Sequence, residues 1–192
     1  SDVISMPLAI AIMAGLALGA YGLLGRGEAL FMLLLAATIY CLSYLSARPE
    51  GAFMLISLAI IISASDIGAY FSGRIIGGPK LAPACSPSKT WAGSIGGILF
   101  ALIAAEAALY GFWQMHLSVA LGALVAGLAI LSQMGDLYES AMKRRLGIKD
   151  SGQLVPGHGG ALDRFDGYMT TLPVAVWALA SDIALLGNLQ PQ

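Results

Sequence analysis

Long apolar runs, broken at intervals by short polar clusters, set the pattern of this chain. Six of them lie near the ~20 residues that carry a helix across a ~30 Å hydrocarbon layer. They cover approximately 3–24, 29–47, 52–72, 94–113, 117–135 and 168–187. Within each run the apolar residues are continuous rather than alternating, which predicts helices and argues against spanning strands. The first run is long and opens on Ser1 and Asp2 without a basic start, so it is read as a span and not as a cleavable leader. Connections around Arg26 and Glu28, from Arg48 to Gly51, and from Gln114 to His116 are too short to hold a site of their own. Two others, 73–93 and 136–167, are long. The expected fold is an all-α integral membrane protein of about six transmembrane helices with two long charged loops, forming one membrane-embedded domain over 1–192.

Composition sharpens this reading. Hydrophobic residues make up 58% of the chain and charged ones 11%, against roughly 25% charged in ordinary soluble domains. The net charge of -1 carries no information about partners, so the distribution of charge has to be read instead. Eight of the ten Lys and Arg fall in the two long loops: Arg74, Lys80, Lys89, Lys143, Arg144, Arg145, Lys149 and Arg164. With six spans, both loops and the Arg26 turn share one side of the membrane and Arg48 stands alone on the other. The positive-inside rule then makes the charged face cytoplasmic and both termini external. Cys41 and Cys85 show no metal-type or redox spacing and are read as unpaired.

The charged chemistry is concentrated between Gly135 and Asp166. Asp136, Asp150, Asp163 and Asp166 stand there beside Lys143, Arg144, Arg145, Lys149 and Arg164, with a Pro-Gly-His-Gly-Gly turn at 156–160. Asp163 and Asp166 are three apart and share a face if their segment is helical. Carboxylates opposite cations suit a hard divalent cation bridging to phosphate oxygens, the cations neutralising what the metal does not. His158, Gly159 and Gly160 form a candidate anion nest, because glycines let backbone N–H groups approach closely. The plainer alternative is a solvated interfacial loop whose basic residues meet anionic headgroups. It accounts for Lys143 to Arg145 and leaves the carboxylates unexplained.

The first long loop adds Ser86, Ser88, Lys89 and Thr90, three hydroxyls and an ammonium, followed by Gly93 at the start of a helical run. Such a cluster suits an anion at a helix N-terminus, yet alone it reads equally as a turn and cap. Asp66 sits late in an apolar run, where an ionisable group is expensive and points to function. Glu106 also lies inside a run but without a motif, and a buried polar contact or protonated acid explains it equally well. Asp182 falls near the outer end of the last run, within reach of water. Gly15/Gly19 and Gly93/Gly97 have GxxxG spacing, which is close to chance among 24 glycines.

These residues carry a resemblance. Ser140-Ala-Met-Lys143-Arg144, Lys149-Asp150-Ser151-Gly152, Pro156-Gly157-His158-Gly159-Gly160 and Leu162-Asp163-Arg164-Phe165-Asp166 resemble the signature of the phosphatidate cytidylyltransferases, also called CDP-diacylglycerol synthases. Asp66-Ile-Gly-Ala-Tyr-Phe-Ser-Gly73-Arg74 and Ser86-Pro87-Ser88-Lys89-Thr90-Trp91 are similar to other recurring segments of that family, in the expected order. The likeness covers about 66–167, and the flanking runs match only as generic membrane helices.

The resemblance implies a membrane enzyme that joins CTP and phosphatidic acid into CDP-diacylglycerol and pyrophosphate, with Mg2+ and optionally a monovalent cation such as K+. By position, Asp136 and Asp163 become the main metal-binding carboxylates, supported by Asp166. Lys149 joins these three as a catalytic candidate. Asp66, Ser86, Ser88, Lys89, Thr90, Lys143, Arg144, His158, Gly159, Gly160 and Arg164 become candidate substrate-binding positions. The lipid bilayer is a partner, a homodimer is among the assemblies the resemblance allows, and no nucleic-acid partner is expected. Two features depart from the family: Ala92 stands where many relatives carry Glu, and relatives are commonly longer, so a truncated chain is one expectation. Other readings are a CTP-dependent enzyme on another lipid, such as a polyprenol-type kinase or archaeol-type cytidylyltransferase, and an ion-coupled transporter using Asp66 and Glu106. The transporter reading predicts acids spread through the membrane, whereas most charge gathers at one face.

Overall fold

A computed structural model describes residues 26–49, 51–145, 147 and 162–180, with the side chains of residues 26, 112–113, 162–164 and 179–180 outside that description. The predicted span 3–24, the Gly15/Gly19 pair, Asp182 and the loop positions Lys149, Asp150, His158, Gly159 and Gly160 fall outside the described residues. The chain forms two compact units, Ser1–Leu55 and Ile56–Gln192.

In the first unit, helix α1 covers Arg26–Ser46, and helix α2, Gly51–Ile75, begins after a tight turn. The Thr38 hydroxyl donates to the Leu34 carbonyl at 2.8 Å, so this polar group sits in an apolar helix without an unmet hydrogen bond. At the turn the Arg48 guanidinium donates to the Tyr44 hydroxyl and lies 4.6 Å from its ring centroid.

The second unit holds the rest of α2, a small hairpin of β1 (Lys80–Ala82) and β2 (Ser86–Thr90), and helices α3 (Trp91–Trp113), α4 (Val119–Arg145) and α5 (Leu162–Ala180). The hairpin departs from the purely helical expectation. Its strands pair antiparallel, Lys80 with Thr90 and Ala82 with Ser86, and the Trp91 N–H donates to the Pro79 carbonyl at 3.1 Å to close its base. Strands of three and five residues, β1 flanked by Pro79 and Pro83 and β2 holding Pro87, leave almost no alternating signal in a sequence. Gly77 and Gly78, at φ 66° and 95°, turn the chain out of α2 and into the hairpin. Thr90 then caps α3, its hydroxyl accepting from the Gly93 N–H at 3.1 Å.

Among the described residues four helices, over Gly27–Ser46, Gly51–Ile75, Trp91–Gly111 and Val119–Arg145, are long and apolar enough to cross a bilayer, with mean hydropathies of 1.9, 2.0, 1.8 and 1.6. The predicted last span, 168–187, is described only to Ala180, within α5. The hairpin apart, this is an all-α membrane protein. Small residues bring α3 and α4 together, with Ala101, Ala105, Val125 and Ala129 forming a core flanked by Ile98 and Leu102. Gly93, Gly96 and Gly97 face α2: a Cβ on Gly96 would lie 2.0 Å from the Ser72 hydroxyl, and one on Gly97 2.7 Å from the Ser65 carbonyl. The Gly93/Gly97 spacing is therefore a real packing feature. Glu106 resolves as a polar contact at the α3–α4 turn, accepting from the Leu117 N–H at 2.7 Å and pairing with His116 Nδ1 at 2.7 Å. Cys41 is buried and Cys85 half-buried, and both are free thiols.

Candidate functional site

Beneath the site lies a hydrogen-bonded knot of uncharged side chains. Gln133 on α4 accepts from the Ser94 hydroxyl on α3, and its amide donates to the Ser94 carbonyl at 3.1 Å and the Ser65 hydroxyl of α2 at 3.3 Å. Ser65 is fully buried. Three helices are thus tied together next to Asp66 and one turn before Asp136.

Above the knot a cavity of about 540 Å3 opens between α2, the hairpin, α3 and α4, lined among others by Asp66, Lys89, Ser94, Gln133 and Asp136. This volume falls in the ~300–1,000 Å3 range of small-molecule sites. Lys89 from β2 reaches across to form an ion pair with Asp136 from α4. Both side chains are partly shielded from water, at 24% and 38% exposure, so the pair is less screened than a surface one. Asp166 joins them because α4 and α5 approach very closely there. A Cβ on Gly135 would lie 2.6 Å from the Asp166 carbonyl and 2.6 Å from the Thr170 hydroxyl, which itself donates to the Leu131 carbonyl at 2.6 Å.

Asp66, Asp136, Asp166 and Lys89 consequently lie within electrostatic reach of one another. Burial first, and then the negative charges of Asp136 and Asp66, push the Asp166 carboxyl up to about 6, against the opposing influence of the Gly167 N–H and Lys89. Three carboxylates share one neighbourhood with Lys89, and oxygen donors of this kind suit a hard divalent cation. Among the described residues no three Asp, Glu, His or Cys side chains form a ready metal cage. Mg2+ does not require one, since it is held by one or two carboxylates together with substrate phosphates and waters.

The remaining sequence candidates divide clearly. Ser88 and Thr90 line the cavity, while Ser86 sits at the far end of β2 opposite Ala82. The Thr90 oxygen is already engaged in capping α3. Lys143 pairs with Glu139 one turn earlier, at 3.3 Å, and Glu139 is almost fully buried. Arg144 and Arg145 end α4 exposed. Asp163 and Arg164 belong to the first turn of α5, with their side chains outside the description. Tyr70, Arg74 and Lys80 also line the cavity and were not among the sequence candidates. Their signal was present, since Asp66, Tyr70 and Arg74 repeat every four residues. Gln133, Ser65 and Ser94 had no comparable signal.

The fold and site define a class: a helical membrane protein whose polar cavity is lined by Asp66, Asp136 and three cations, Arg74, Lys80 and Lys89, with Asp166 within electrostatic reach. A model of the cytidylyltransferase family matches residues 3–181, and the chain belongs to that family. It is 48% identical over 125 residues to a protein of Brucella suis biovar 1 (strain 1330) named phosphatidate cytidylyltransferase, covering 62% of this chain and 44% of that protein. A Staphylococcus aureus (strain COL) protein of the same name is 42% identical over 132 residues, covering 68% of this chain and 50% of that one. The chain spans about half the length of these curated relatives.

Proposed function

We propose that this chain is a phosphatidate cytidylyltransferase, transferring CMP from CTP to phosphatidic acid to give CDP-diacylglycerol and pyrophosphate in phospholipid synthesis. The observation that carries the reading is the meeting of Asp66, Lys89 and Asp136 in one cavity, from three segments far apart in sequence. Family membership and the names of the relatives support phosphatidate over another lipid acceptor. Charge gathered at one cavity, with Glu106 engaged at a helix turn, supports an enzyme over an ion path.

The phosphate of phosphatidic acid is already a nucleophile near neutral pH, so no side chain needs to form a covalent intermediate. Its oxygen attacks the α-phosphorus of CTP. A new P–O bond forms there as the bond from that phosphorus to the bridging α–β oxygen breaks, and the electron pair leaves with pyrophosphate. The chain's part is alignment and charge neutralisation. Asp136 and Asp163 would hold Mg2+ with Asp166 in support, and the bound ion supplies charge neutralisation on the triphosphate. Lys89, held beside Asp136, contributes a cation to the phosphates. Lys149, Lys143, Arg144, Arg164 and the His158-Gly159-Gly160 nest are assigned to the same phosphates from the flanking segment. A monovalent cation such as K+ and a homodimer belong to the same reading. So does an inner-membrane location with the site on the cytoplasmic side, where nucleotide arrives from water and lipid from the bilayer.

The test is pyrophosphate release and CDP-lipid formation by the purified chain given CTP, phosphatidic acid and Mg2+. One pyrophosphate per CDP-lipid is expected, with none after EDTA. Asp136→Asn is expected to lower turnover by about a hundredfold or more. CTP consumption without CDP-lipid, or full activity in Asp136→Asn, would refute the assignment.

A further inference from the structure

Two stripes run side by side along α2. Asp66, Tyr70 and Arg74 are spaced by four, share one face and line the polar cavity. Ile67, Phe71 and Ile75 lie one position on, and are apolar and exposed at 51%, 50% and 79%. Successive helix positions are about 100° apart, so the stripes border each other along the helix. Because α2 is long and apolar enough to cross a bilayer, its exposed apolar stripe suits contact with acyl chains. The cavity wall and the exposed apolar surface therefore meet along one edge of a single helix.

At the upper end of that edge stand two cations without an acidic partner. Lys89 pairs with Asp136 and Lys143 with Glu139, whereas neither Arg74 nor Lys80 is ion-paired to a carboxylate among the described residues. Arg74 is oriented by Tyr70: Nη1 donates to the Tyr70 hydroxyl at 2.6 Å, and the guanidinium carbon lies 5.9 Å from the ring centroid. Its other N–H groups are left for a ligand. Lys80 is fixed opposite Thr90 by the hairpin register and lines the same cavity. A phosphate monoester carries close to two negative charges near neutral pH, which two cations match, and a guanidinium fork binds two of its oxygens.

We propose that Arg74 and Lys80 form the subsite for the phosphate of the lipid acceptor, whose acyl chains lie along Ile67 and Phe71. The inner end of the cavity, at Lys89 and Asp136, is left to the nucleotide. This assignment rests on the reading of the chain as a CTP-dependent enzyme acting on a lipid phosphate. What favours the lipid over a second nucleotide contact is the shared edge: an acyl-bearing ligand reaches this pair of cations without leaving the bilayer.

The test measures both substrates separately in mixed micelles. Arg74→Ala, alone and with Lys80→Ala, is expected to raise the KM for phosphatidic acid by about tenfold or more, the loss of a charge-assisted hydrogen bond. The KM for CTP is expected to stay within about twofold, inside the scatter of an exposed substitution. Arg74→Lys, which keeps the charge and loses the fork, should fall between. A rise in the KM for CTP with none for the lipid would give these cations to the nucleotide and overturn the proposal, as would no change in either. Equilibrium titration with fluorescent phosphatidic acid and phosphatidylcholine reads the subsite without turnover. Preference of the parent for phosphatidic acid, erased in Arg74→Ala, supports the subsite even if CTP is not consumed. Equal binding of the two lipids by the parent overturns it, whatever the reaction proves to be.

Discussion

At the scale of single residues, the site depends on a charged pair resting on an uncharged knot. Lys89 and Asp136 face each other across the cavity, and Gln133 holds the helices that carry Asp66 and Asp136. Gln133→Leu keeps the volume but leaves the Ser94 carbonyl and the buried Ser65 hydroxyl without the Gln133 amide. It is expected to cost about 1–3 kcal/mol of stability, read as a lower thermal midpoint in detergent, together with slower turnover. An unchanged midpoint would mean that the knot does not hold these helices. The charged members were legible in the sequence, because an acid or lysine in an apolar chain stands out against its background. Gln133, Ser65 and Ser94 were not, since an uncharged polar residue within a long apolar run reads as tolerated noise until its partners, 39 and 68 positions away, are known.

At the scale of elements, close helix crossings bring the carboxylates together. Gly135 lets α4 and α5 meet beside Asp136 and Asp166, and a methyl group there would press on backbone as well as on a side chain. Gly135→Ala should therefore destabilise the protein by about 1–3 kcal/mol through overpacking and lower activity with it. Gly127 on the same helix has no atom within 4 Å of an added Cβ, so Gly127→Ala should leave activity intact and hold or raise the thermal midpoint. Equal effects of the two substitutions would show that helix propensity, and not the crossing, governs the result. The helices themselves were legible from their apolar length. The hairpin at Lys80–Thr90 was not, because two short strands, one of them holding Pro87, give no periodic pattern. The Gly93/Gly97 pair was visible but carried no weight in a chain with 24 glycines, and only the neighbouring helix gives it meaning.

At the scale of the whole molecule, the described residues of the second unit hold a polar cavity that borders an exposed apolar helix face. That arrangement suits a reaction between a bilayer-held acceptor and a water-soluble donor, and it underlies the proposed cytidylyl transfer. The most direct measurement follows the label from two forms of CTP, each offered with phosphatidic acid and Mg2+ to the purified chain. With the α-phosphorus labelled, radioactivity is expected in the lipid product. With the γ-phosphorus labelled, it is expected in pyrophosphate and not in lipid. Label passing from the γ-position to the lipid would contradict the account, because it would make the protein a lipid kinase with a different bond broken at the same site.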